Sequence, residues 1–180
     1  MKYTLNPKRY TLTIGWLYPE LMSTYGDRGN IIVLQKRCEW RKIGVEIKKL
    51  DLGFMINDLR KCDLLFMGGA QDKQQRIVSD DLFKKKIIFK KMIDDGIPGL
   101  YICGAYQFLG KYYKDADGTV INGLGILDLH TQNTGEVFSR LIGNLAARML
   151  DNNVIVGFEN HGGRTYLGKQ VKPLGKVIKG

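Results

Sequence analysis

Histidine is scarce in this chain: 180 residues contain two, His130 and His161. Any chemistry that needs an imidazole has only those candidates. Cysteine is almost as rare. Cys38, Cys62 and Cys103 are widely spaced and form neither a metal-binding motif nor a disulfide framework. That pattern predicts no metal site and a reducing, cytoplasmic setting. No apolar run reaches about eighteen residues, so no transmembrane segment is predicted, and residues 1–9 lack the apolar core of a signal peptide. A phosphate-binding loop of the Gly-x-x-x-x-Gly-Lys-Ser/Thr type is also missing, which places any ATP chemistry on another chain. Repeats, low-complexity segments and convincing linkers are absent, and the length suits one domain with a substantial core.

Acidic residues are the minority charge: 18 Asp and Glu against 28 Lys and Arg, a formal net charge of +10. Such a balance suits nucleic acid or an anionic surface. The basic residues are scattered, however. The densest run, Lys84-Lys85-Lys86 with Lys90-Lys91, lies on a helix whose Leu82, Phe89, Met92 and Ile93 share one side. Most of those lysines are therefore predicted to face water. No RNA-binding aromatic signature accompanies them, so no nucleic-acid partner is expected. A non-catalytic basic binding protein remains the rival from a different functional class, and steeply salt-dependent binding would mark it.

The pattern of elements is more informative. Residues 11–18 read as a first strand ended by Pro19. Ile31, Leu34 and Cys38 follow at helical spacing, with a stop near Gly44. Residues 45–50 alternate like a second strand, and residues 63–67 form a continuous apolar run like a buried parallel strand. A third helical region spans about 72–95, with a break expected near Ser79. This rhythm predicts an α/β fold: a doubly wound, mostly parallel sheet with helices on both faces. Beyond residue 110 the pattern changes to short strands and glycine-rich turns, beginning with an Asp117-Gly118 hairpin.

Two segments lie where open α/β sheets bind ligands, at the carboxyl ends of strands. The first is Pro98 to Gly110, in which an apolar run meets Cys103-Gly104-Ala105 and then turns into a helix. A thiol on such a turn is pushed clear of its backbone, small residues must follow it, and the new helix's N-terminus favours thiolate. A buried core cysteine is the plainer alternative. The second segment is Gly68-Gly69-Ala70-Gln71-Asp72. There, backbone N–H groups of Gly69 and Gly104 can converge on an oxyanion, although a tight turn alone explains a Gly-Gly pair. Cysteine catalysis normally uses a histidine to carry the proton. His130 has no supporting motif. On chemistry alone, His161, in Gly157 to Thr165 after an apolar run, is the best base available.

These segments also carry a resemblance. Ile102-Cys103-Gly104-Ala105-Tyr106-Gln107 resembles the nucleophile elbow of class I glutamine amidotransferases, in the cobyric-acid-synthase-like branch. Ala105 replaces a usual glycine, so its backbone must suit a Cβ. Gly68-Gly69 with Asp72 matches that branch's Gly-Gly-x-x-Asp segment. Gly157 to Thr165, Tyr25 to Asn30 and Gly123 to Asp128 together resemble one subfamily, GatD, the glutaminase subunit of lipid II isoglutaminyl synthases.

The resemblance implies Cys103 as nucleophile, with Gly69 and Gly104 as substrate-binding positions. It also implies that Arg140, in Ser139-Arg140-Leu141-Ile142-Gly143, holds the glutamine α-carboxylate, with an ordinary surface arginine as the plainer alternative. The catalytic histidine of that family lies on a later Tyr-Leu-His-Gly-Pro-type segment. His161 is therefore disfavoured as base, and the 180 residues are expected to lack the C-terminal part of the domain. Implied partners are glutamine, a Mur-ligase-like MurT subunit carrying ATP and Mg, and lipid II as acceptor through that subunit. No cofactor is expected on this chain. A cobyrinate-type amidotransferase is the second enzyme reading, but it predicts a fused synthetase domain.

Overall fold

A computed structural model describes residues 11–24, 26–135 and 140–180. The N-terminal stretch, Tyr25, Ser139 and the side chain of Asp72, all used above, lie outside the described residues. The chain forms two compact units, one ending at Tyr106 and the other starting at Gln107.

Unit 1 is built on four parallel strands in the order β2-β1-β3-β4, with β1 at Thr11–Leu17, β2 at Gly44–Leu50, β3 at Leu64–Met67 and β4 at Gly99–Tyr101. Helix α1 (Arg28–Trp40) links β1 to β2, and the long α3 (Asp72–Asp94) links β3 to β4; α2 (Ile56–Leu59) is a single turn before β3. From β1 the chain steps to one side, and from β3 to the other. Right-handed crossovers then put α1 and α3 on opposite faces, the doubly wound arrangement expected. On one face Ile31 and Leu34 of α1 pack on Ile14, Trp16 and Phe66. Toward the other face, a Cβ on Gly15 would lie 2.7 Å from Cys62 Sγ, so that glycine is a close-approach site.

Helix α3 runs unbroken through Ser79, which is 9 % exposed and sits inside the packed helix rather than at an end. Its buried stripe is Val78, Leu82, Lys85, Phe89 and Met92, at helical spacing. Lys85 is the exception to the expectation that these lysines face water. It is buried, pairs with Asp81 one turn away, and lies 4.5 Å over the Phe54 ring. Asp81 also accepts a hydrogen bond from the Tyr18 hydroxyl at 2.8 Å. Burial alone would raise the Asp81 carboxyl, but the bonds from Lys85 and Tyr18 outweigh it and hold it below the usual carboxylate range.

Unit 2 has two sheets among the described residues. One has the order β10-β7-β5-β6, with β5 at Tyr112–Lys114, β6 at Val120–Asn122, β7 at Leu129–Asn133 and β10 at Gly163–Leu167; only its β5–β7 pair is parallel. The hairpin expected at Asp117-Gly118 joins β5 to β6, with Gly118 at φ +87°. The other sheet is antiparallel, β11-β8-β9, with β8 at Leu141–Met149, β9 at Val154–His161 and β11 at Gly175–Lys179. No helix among the described residues is long and apolar enough to cross a membrane.

Candidate active site

Three connections rise from the carboxyl ends of the parallel strands in unit 1: the loop after β1, the turn after β3 and the elbow after β4. Cys103 occupies the elbow between β4 and α4 (Gly104–Leu109). Its φ is +53°, a left-handed conformation that costs a residue with a Cβ about 1–2 kcal/mol. This is the strained strand-to-helix turn expected. Its thiol is exposed, whereas Cys38 and Cys62 are buried. Burial also pushes the Cys62 thiol up to about 11. Ala105 is buried within α4 and is not among the positive-φ residues. The left-handed position belongs to the cysteine itself, so the methyl group of Ala105 meets no backbone conflict. Gly104 differs: a Cβ there would lie 2.5 Å from Gln75 Nε2.

The turn after β3 is held from several sides. Asp27 is 3 % exposed and accepts the Gly69 N–H at 3.0 Å. That bond explains why Asp27, the N-cap residue of α1, makes no side-chain cap. The expected contribution of the Gly69 N–H to an oxyanion hole is therefore engaged within the protein. Gly68 is required by close approach, because a Cβ would lie 2.4 Å from the Met22 carbonyl and 2.5 Å from the Asp27 carboxyl carbon. The Gly69 carbonyl accepts the Thr24 N–H at 3.3 Å, and the Ala70 carbonyl accepts from Gln75 Nε2 at 2.7 Å. The elbow is tied to the same turn by the Ile102 N–H donating to the Met67 carbonyl at 3.0 Å. Gln75 has no signal in local sequence as a site residue, and Asp27 has only its place in the Tyr25 to Asn30 segment. Their partners lie in other connections, and only the fold joins them.

The remaining candidates lie in unit 2. Arg140, just before β8, is exposed and spans to β9: its Nε donates to Asn160 Oδ1 at 2.7 Å and an Nη to the Asn160 carbonyl at 3.3 Å. His161 ends β9 with Nδ1 2.9 Å from the Gly163 carbonyl and Nε2 3.0 Å from Glu159 Oε2. Both partners only accept, so each bond asks for a ring N–H. A neutral imidazole has one N–H, so it can donate to only one of the two at a time. His130 is stacked between Tyr112 and Tyr166, with ring centroids 4.9 and 5.1 Å away, as a packing residue. Among the described residues there is no cluster of His, Cys, Asp and Glu able to hold a metal ion.

Comparison with known proteins agrees with this arrangement. The family described as the CobB/CobQ-like glutamine amidotransferase domain matches residues 13–180. The chain is 43% identical over 157 residues to the Staphylococcus aureus lipid II isoglutaminyl synthase (glutamine-hydrolyzing) subunit GatD, covering 87% of this chain and 63% of that one. Its Streptococcus pneumoniae counterpart is 41% identical over 175 residues, covering 95% and 65%. The chain thus spans just under two thirds of the length of these relatives. A Clostridium botulinum cobyric acid synthase is 31% identical over 135 residues, covering 68% of this chain and 26% of that protein. In fold, a crystal structure of a glutamine amidotransferase superposes with a TM-score of 0.59 at 16% identity, covering 90% of this chain and 78% of that one. With a family match over nearly its whole length and a strained cysteine elbow on a parallel sheet, this chain belongs to the CobB/CobQ-like glutamine amidotransferase domain family.

Proposed function

We propose that this chain is a glutaminase subunit that releases ammonia for amidation of D-glutamate in the lipid II peptidoglycan precursor. The carrying observation is the exposed Cys103 at φ +53°, beside a turn of anchored peptide groups. The Cys103 thiolate attacks the side-chain amide carbon of glutamine. The oxyanion collapses, the C–N bond breaks, and ammonia leaves with one added proton. Water then cleaves the thioester, giving glutamate and the free thiol. Gly104, at the elbow, and the turn around Gly69 form the wall nearest the developing oxyanion. Arg140 binds the glutamine α-carboxylate through its planar fork. That requires it to exchange its bonds to Asn160 for the ligand.

Proton transfer is assigned to a group other than His161, because the family resemblance implies a catalytic histidine on a different segment. His130, stacked between two tyrosines, is no better placed. ATP and Mg chemistry belongs to a Mur-ligase-like MurT partner, which activates the D-glutamate carboxylate of lipid II. The site of action is cytoplasmic.

The names and the 41–43% identity of the two GatD relatives support this reading over a cobyrinate-type substrate. The cobyric acid synthases match at lower identity, 31–32%, over about a quarter of their own length. The test is ammonia release from glutamine, with and without the partner subunit, by wild type and Cys103→Ala. Activity lost in the variant supports the reading. Turnover that survives Cys103→Ala, or that disappears with His161→Ala alone, overturns the assigned roles.

A further inference from the structure

Gln75 is a neutral polar side chain, 5 % exposed, on the first turns of α3. Burying an amide is unfavourable unless it is bonded. Here Nε2 donates to the Ala70 carbonyl at 2.7 Å, and the same amide fills the space where Gly104 would carry a Cβ, 2.5 Å from Nε2 and 3.0 Å from Cδ. One side chain therefore touches the turn after β3 and the elbow after β4.

The effect on the turn follows from peptide planarity. In a trans peptide the C=O and the following N–H point in opposite directions. Thr24 holds the Gly69 carbonyl, which turns the Ala70 N–H the other way. Gln75 holds the Ala70 carbonyl, which turns the Gln71 N–H away from α3. Asp27 fixes the plane before these two through the Gly69 N–H. Three successive peptide planes are thus set by three residues, Asp27 and Thr24 of the loop after β1 and Gln75 of α3, and Gln75 also abuts the elbow.

We propose that Gln75 is a positioning residue that fixes the spacing and orientation of the turn's N–H groups relative to Cys103, so that they meet the oxyanion as it forms. This rests on the glutaminase reading above. Gln75 touches no reacting atom in this scheme; it acts through Ala70 and Gly104.

The experiment follows covalent modification of Cys103 in the 180-residue chain by intact mass. One probe is 6-diazo-5-oxo-norleucine, whose carbonyl must be bound and polarised as glutamine's is. The other is iodoacetamide, which needs only an accessible thiol. Gln75→Met keeps the volume and removes the bond. It is expected to slow the maximal rate with the glutamine analogue by roughly tenfold or more, the scale of losing an oriented oxyanion donor. The half-saturating analogue concentration and the iodoacetamide rate should stay within about twofold, since recognition and exposure are untouched. Gly104→Ala tests the contact from the other side by displacing the Gln75 amide, and should show the same selective loss. The double variant Gln75→Ala with Gly104→Ala restores room but not the bond, and should stay slow. Equal slowing with both probes, or recovery in the double variant, would show that Gln75 only fills space and would overturn the proposal. Wild-type Cys103 that reacts with the analogue no faster than Cys38 does would overturn the glutaminase reading itself, and this inference with it.

Discussion

Leu65, Phe66 and Met67 of β3 are each 0 % exposed, whereas Val154, Val156 and Phe158 of β9 are 51%, 76% and 65% exposed. Both stretches are apolar runs of strand-forming residues. They differ in what lies over them. The parallel strand has helices on both faces, so all its side chains are covered. The antiparallel β8–β9–β11 sheet carries Ile142, Val154, Ile155, Val156, Phe158 and Val177 more than half exposed among the described residues. The comparison shows why the reactive cysteine stands where it does. A left-handed residue with a side chain persists only where its surroundings over-determine it. Among its described residues unit 1 holds three of this kind: Cys103, Tyr18 at the end of β1 with φ +50°, and Lys42 in the turn before β2 with φ +58°.

The largest expected contrast is in stability. Leu65→Ala opens a cavity in closed packing and should cost about 2–5 kcal/mol. Val156→Ala on the exposed strand should stay within about 0.5 kcal/mol. Denaturant melts of both variants check this, and equal losses would mean that β9 is covered in solution. Arg140→Ala separates function from stability in unit 2. It should weaken glutamine use by about 2–3 kcal/mol, as for loss of a charge-assisted bond. The melting curve should barely move, because the arginine is exposed. An unchanged Michaelis constant would place the carboxylate site elsewhere.

Asp81→Asn probes the buried ion pair of unit 1 and should cost about 1–3 kcal/mol at neutral pH. The folded-state carboxyl lies below its ordinary value of 3.8. Its contribution is therefore fully present above that pH and is lost as pH falls toward the folded value. The gap between wild type and variant should close on acidification below pH 3.8. A gap independent of pH would assign the effect to shape rather than charge. The smallest effect is kinetic. Cys62, with its thiol raised to about 11, should alkylate more slowly than Cys103 at neutral pH and catch up only on unfolding.

The legibility of the molecule in its sequence divides along the same line. The inner strands at 11–17 and 64–67 and the two long helices are visible because burial leaves apolar runs and helical stripes, and the edge strand at 44–50 is visible by its alternation. The elbow is visible because Cys103-Gly104-Ala105 combines a nucleophile with small neighbours at the end of such a run. Lys85 is not, because a lysine on an apolar stripe looks misplaced until Asp81, Tyr18 and Phe54 are brought to it. The pairings of Asp27 with Gly69 and of Gln75 with Ala70 are likewise hidden: a single carboxylate or amide has no periodicity. The engagement of His161 by Glu159 and Gly163 needs only local chain, but the geometry decides it rather than the spacing.

The knot around Asp81 also sets where this chain can change length. Asp81 receives the Tyr18 hydroxyl from the end of β1 and the Gly53 N–H, at 3.4 Å, from the bend after β2, while Phe54 lies under Lys85. Adding residues to a loop costs little in chain entropy, about 0.6 kcal/mol per doubling. An insertion between Asp51 and Phe54 would nonetheless pull both contacts out of register. The short bend after β2 is therefore the wrong place to lengthen the chain with a peptide tag or a fluorophore.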